Sequence, residues 1–191
     1  MDAADPREAR GISPYSSRYF TAIHEAAHAV AGYLRGVHNV ESLTLQPFEE
    51  NGIEILGRVT YKRITTLPAD LTPQEVQLLA EWIMRSAVCV ALAGDAATDI
   101  LLGELSRVGN LTDYEQAYKC ACYLTGETEE NDARAVTIMG EEWQVALAIA
   151  RDYTAAIEAV AADLSYLGTI NGARFNAIME LHGCRNGDLA G

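Results

Sequence analysis

The sequence predicts a mainly helical α+β domain, with a small sheet or hairpin set beside a helix that carries a metal-binding pattern. Three observations predict it. Apolar residues recur at helical spacing over 16–35, 73–102 and 133–166, whereas 40–46 and 53–62 alternate in the manner of strands. Ser, Thr, Pro and Gly stand where helix ends require them. At 191 residues and 49% apolar content, the chain is long enough for one domain with a sizeable core.

Residues 1–14 are polar, contain Pro6, Gly11 and Pro14 and show no period, so they read as a flexible lead-in to a single domain over 15–183, with a polar tail at 184–191. The first helix begins with Ser16 or Ser17 as its N-cap and ends near Arg35, where Gly36 stops it. Ile23, Ala27, Val30, Ala31 and Leu34 give it an apolar face. Strand character follows over 40–46, a turn region over 47–52 and a second strand over 53–62 carrying Ile55, Val59 and Tyr61. Such a hairpin serves equally as cover for a core or as an edge that holds an extended peptide by backbone hydrogen bonds.

A loop at 63–71 leads to Thr72, an N-cap with Pro73 at the first helical position. The helix it opens is apolar all round through Leu78, Leu79, Trp82, Ile83, Val88, Val90 and Leu92, which predicts a central buried element. Gly94 interrupts it, and Asp95 to Leu102 resumes until Gly103. Thr112 and Glu115 are spaced as a capping box, so Asp113 falls in the first turn of the next helix, where the helix dipole favours a carboxylate. After an acidic link at 125–132, one helix is predicted over 133–166, ended by Gly168, and a short one from Asn171 to about Leu181.

A formal net charge of −13 argues against a nucleic-acid or anionic-membrane surface as partner. The longest continuous apolar run, 86–93, falls short of the ~18–20 residues of a membrane span, so none is expected. The acidic N-terminus lacks the features of a signal peptide, and a cytoplasmic location follows by default. Cys89, Cys120, Cys122 and Cys184 read as free thiols; Cys120 and Cys122 lack the two-residue gap of a redox or zinc pair.

The chemistry concentrates in His24-Glu25-Ala26-Ala27-His28. On a helix, positions i and i+4 share a face, so both imidazoles reach one ion while Glu25, rotated away by ~100°, lies beside it. Two neutral imidazoles then hold Zn²⁺ and the carboxylate takes a proton from water. A catalytic site requires a third protein ligand. The HExxHxxGxxH class is excluded, because Ala31 and Leu34 stand where glycine and histidine are needed. His38, beyond the Gly36 stop, would need an unusual chain reversal, which leaves a distant carboxylate on another helix as the common solution.

The chain resembles the FtsH-type zinc peptidases from His24-Glu25-Ala26-Ala27-His28-Ala29-Val30, through Val40-Glu41-Ser42-Leu43-Thr44-Leu45 and Leu56-Gly57-Arg58-Val59-Thr60. The likeness continues over 92–104 and in Asn110-Leu111-Thr112-Asp113-Tyr114-Glu115-Gln116-Ala117, and 146–180 is similar to that family's closing helices. The resemblance implies a helical zincin-like peptidase domain in which Asp113 completes a Zn²⁺ site with His24 and His28. It leaves Asp99 acidic, as a carboxylate to hold a zinc-bound histidine from behind. It also implies a polypeptide substrate and homo-oligomers, since the family works in rings.

The sequence departs from the family at Ala27, where glycine is usual, and at Asp95 and Thr98, which replace residues that are usually basic and acidic. Family members also carry an ATPase module and membrane segments ahead of the peptidase, whereas 23 residues precede His24. The expectation is therefore a peptidase for unfolded or flexible polypeptides, or one served by an ATPase or adaptor in trans. The alternative is a regulatory or peptide-binding protein that keeps the fold and the metal without turnover. Retention of Glu25 favours the enzyme, since a structural zinc site has no use for a general base.

Overall fold

Helix α1 (Ser17–Leu34) is the element around which the others pack; in the computed structural model, α2, α5, β1 and β4 all lie against it. The structure describes residues 17–50, 53–62, 70–103, 111–126 and 133–189. The lead-in, a cap at Ser16, residues 63–69 of the loop and 127–132 of the acidic link lie outside the described residues. From Ala22 to Leu34 every residue of α1 except His24 is buried, because small side chains at 26, 27, 29, 31 and 32 let neighbouring elements approach from all sides.

The architecture is mainly helical with a small antiparallel sheet. Strand β1 (Asn39–Thr44) is central in the order β4-β1-β5, with β4 over Arg58–Lys62 and β5 over Thr169–Asn171. A register shift between Val40 and Ser42 places Glu41 as an extra residue, so Val40 and Leu43 both face inward despite their odd spacing. The strand expected over 53–62 is divided: β3 (Ile53–Ile55) pairs instead with β2 (Phe48–Glu50), inside the stretch expected to be a turn, and Leu56-Gly57 separates β3 from β4. Strand β5 leaves no mark in the sequence, because three residues are too few to establish a period.

Helix α2 (Pro73–Leu102) opens on the predicted cap: the Glu75 N–H donates to Thr72 Oγ1 at 3.3 Å, and the Thr72 N–H donates back to Glu75 Oε2 at 2.8 Å. It ends at Gly103, whose φ of 67° suits glycine. Two expectations about this helix need correction. Gly94 does not interrupt it, and only its second half is buried; Val76 and Leu78 are exposed in the first. Hydropathy marks an apolar helix but does not say how much of it neighbours cover. By length and composition α2 is also apolar enough to cross a membrane, although its buried half packs against α1, α3 and α4.

Helix α3 (Leu111–Thr125) begins one residue ahead of Thr112, so Thr112 is helical rather than the cap, and Asp113 remains in the first turn. The single helix expected over 133–166 is two, α4 (Ala133–Asp152) and α5 (Thr154–Leu167), broken at Tyr153. Thr154 Oγ1 bonds back to the Ala150 and Arg151 carbonyls at 2.7 and 3.1 Å, a local competition that bends helices. Helix α6 (Gly172–Leu181) starts at Asn171, whose side chain caps the Arg174 N–H, and a Cβ on Gly172 would collide with the Val40 carbonyl oxygen. Beyond it, the Gly187 and Leu189 N–H groups donate to the Tyr33 and Leu34 carbonyls and so close the C-terminal end of α1. All four cysteines are free.

Candidate metal centre

Helical geometry brings His24 and His28 to one face of α1, and the first turn of α3 delivers Asp113 to the same point. His24 Nε2 lies 3.0 Å from Asp113 Oδ2 and 2.9 Å from His28 Nε2, and His28 Nε2 lies 3.4 Å from Asp113 Oδ2. These are the three residues that the sequence and the resemblance assign to metal, and their donor atoms form one compact triangle.

The chemistry of the triangle fits a cation. His28 Nδ1 lies 2.6 Å from the Val90 carbonyl, which can only accept, so Nδ1 carries a proton and the ring, once it gives up its other proton to an ion, presents a lone pair at Nε2. That lone pair faces another imidazole nitrogen and a carboxylate oxygen. Tetrahedral ligands at ~2.0–2.2 Å from Zn²⁺ stand ~3.3–3.6 Å apart, and the observed separations approach that figure.

The electrostatics agree. Burial, then the neighbouring His28, push His24 below its ordinary value against the pull of Asp113. In His28, burial is outweighed by the hydrogen bond and charge of Asp113, with Glu25 and the Val90 carbonyl adding, and its pKa is pushed up to about 9. Burial would raise Asp113, but bonding and charge from both histidines hold its carboxyl well below the usual range. The cluster thus keeps one proton where an ion would place its charge.

Glu25, buried on α1, has its pKa pushed up to about 7 by burial, with the charge of His28 opposing and that of Asp113 adding. Gly57 lies against it; a Cβ there would come within 2.7 Å of the Glu25 carboxylate. Tyr61, on β4, donates its hydroxyl to the His28 carbonyl at 3.0 Å and stacks on His38 with ring centroids 4.3 Å apart. Burial, with the charges of Glu25 and Asp113, raises Tyr61 and keeps that hydroxyl protonated. His38 is thereby occupied against Gly32, one turn beyond His28 on α1, and is not among the converging ligands.

The acidic residue that α2 sets beside His24 is Asp95 rather than Asp99: Asp95 Oδ1 lies 3.7 Å from His24 Nδ1. Asp99 sits four residues, ~6 Å, further along the axis, toward the Gly103 cap. Burial first, then the charge of Asp113, push Asp95 up to about 6, with His28 opposing. Gly94 also belongs to the site, because a Cβ there would run into the His24 ring. Asp95, Gly94, Val90, Gly57 and Tyr61 are thus parts of the site that sequence reasoning misses. Only the first two carry a signal, an acid directly after a glycine inside an apolar helix.

No family model matches the chain, and no curated protein matches it.

Proposed function

We propose that this chain is a zinc-dependent endopeptidase that hydrolyses peptide bonds in unfolded or flexible polypeptides. The observation that carries the reading is the convergence of His24 Nε2, His28 Nε2 and Asp113 Oδ2, with Glu25 buried on the same helix. The resemblance to FtsH-type peptidases in the 24–30 and 110–117 blocks supports it as well.

His24, His28 and Asp113 hold the ion. When bound, zinc supplies Lewis acidity, lowering the pKa of water to ~7 and polarising a carbonyl. Glu25 takes a proton from water at its carboxylate and returns it to the leaving nitrogen. Asp113, at the N-terminal turn of α3, balances the two imidazoles while the helix dipole stabilises its charge.

Substrate binds by strand addition. Among the described residues β4 pairs with β1 alone, and it begins directly after Gly57, which touches Glu25. An extended peptide laid along β4 therefore passes the general base with its backbone held and its side chains alternating. Folded substrates require prior unfolding, and self-association into a ring is the arrangement that the resemblance favours.

The test measures bound zinc and cleavage of an unfolded protein by the wild type and by Glu25→Gln. Both bind zinc, and the variant loses ~10²–10⁴-fold in rate, the contribution of a positioned general base. Zinc in both with cleavage by neither overturns the peptidase and leaves a metal-binding protein without turnover.

A further inference from the structure

Each imidazole of the centre has an outer nitrogen, and α2 treats the two differently. The outer nitrogen of His28 is held at 2.6 Å by the Val90 carbonyl. That of His24, Nδ1, is buried without a hydrogen-bond partner, while Asp95 Oδ1 stands 3.7 Å away. Gly94 explains how His24 comes so close to α2: with no side chain at 94, the ring rests on the helix where a Cβ would clash with Cε1 and lie 2.5 Å from Nδ1. The residue that follows is the acid.

Resting on the metal-site reading above, we infer that Asp95 is a positioning residue, whose carboxylate accepts a hydrogen bond from His24 Nδ1–H and fixes that ring for the metal. With the Nε2 lone pair of His24 committed to the centre, the proton of the neutral ring must sit on Nδ1. A buried N–H without an acceptor forfeits the hydrogen bond it had in water, which favours closing the gap. A shift of ~0.7 Å brings the pair to an ordinary N–H···O distance. Helix α2 then braces both histidines, His28 through a backbone carbonyl and His24 through a carboxylate two residues before Ala97. The carboxylate makes His24 the more basic ligand, as outer partners of metal-bound histidines do.

The experiment measures zinc affinity by competition with a chromogenic chelator for the wild type, Asp95→Ala, Asp95→Asn and Asp99→Asn, alongside thermal melts in chelator. Asp95→Ala binds ~10–100-fold more weakly, Asp95→Asn falls between, and Asp99→Asn matches the wild type. In ¹H–¹⁵N imidazole spectra of the zinc-loaded protein, the His24 Nδ1–H resonance is protected from exchange in the wild type and lost in Asp95→Ala. Wild-type affinity in both Asp95 variants overturns the inference alone, whereas a wild type that binds no zinc overturns the metal site with it. If Asp95→Ala does not fold, Asp95→Asn decides.

Discussion

Two polar clusters, one buried and one partly so, border the α1–α2 contact, and they differ in how their atoms are matched. Just past the C-terminal end of α1, Arg35 donates to Ser86 Oγ at 3.1 Å and to Glu142 Oε2 at 3.4 Å, with its guanidinium 3.9 Å over the Trp82 ring. Arg85 takes the other Glu142 oxygen at 3.3 Å, so donors there meet acceptors. Nearer the middle of α1, two imidazole nitrogens and a carboxylate oxygen converge, all of them able to present lone pairs to one point. The first cluster is satisfied by the protein and ties α1, α2 and α4 together. In the second, the converging atoms would be matched by something positive at their centre, which is the contrast between a candidate metal site and a structural knot.

Four substitutions sharpen this contrast. Glu142→Leu strands Arg35, a residue only 6% exposed, and should cost ~3–5 kcal/mol, read as a melting temperature lower by ~10 °C, while zinc stoichiometry is unchanged. Loss of zinc binding in that variant would show that the clusters are not separate. Asp113→Ala should do the reverse: at zinc 100-fold above Kd the wild type gains ~2.7 kcal/mol, seen as a rise in melting temperature that vanishes in the variant. A zinc-dependent rise that survives would remove Asp113 from the centre.

The remaining two make the same change in two helices. Gly94→Ala forces a methyl group against His24 and should destabilise the fold by ~1–3 kcal/mol and weaken zinc binding, although alanine is the better helix former. Gly140→Ala, in α4 with nothing within 4 Å of its Cβ position, should stabilise by ~0.5–1 kcal/mol and leave zinc untouched. Urea titrations of both check the signs; equal shifts would mean that the approach of His24 to α2 is looser than described.

Much of this architecture is legible in the amino-acid sequence. His24, Glu25 and His28 share a helix, and 3.6-residue periodicity places them without reference to anything else. The Thr72–Glu75 cap and the stops at Gly103 and Gly168 are local chemistry and can be read as such. The division at Tyr153 and the bulge at Glu41 cannot, since the Thr154 back-bond and the strand register depend on geometry that composition does not record. The resemblance points to Asp99 rather than Asp95 because position 99 stays acidic, yet the position along α2 decides which carboxylate meets His24.

By itself, the sequence determined the helix that carries the two histidines and Glu25, because those constraints act over one turn of backbone. The resemblance pointed to Asp113, but only the tertiary structure brought its carboxylate to the two imidazoles and decided what else borders the candidate centre: Val90 and Asp95 from α2, and Gly57 at the entrance to β4. Their distance from His24 in the chain carries no information about distance in space. Packing sets that distance, through a glycine that lets a ring lie on a helix and a bulge that turns a strand.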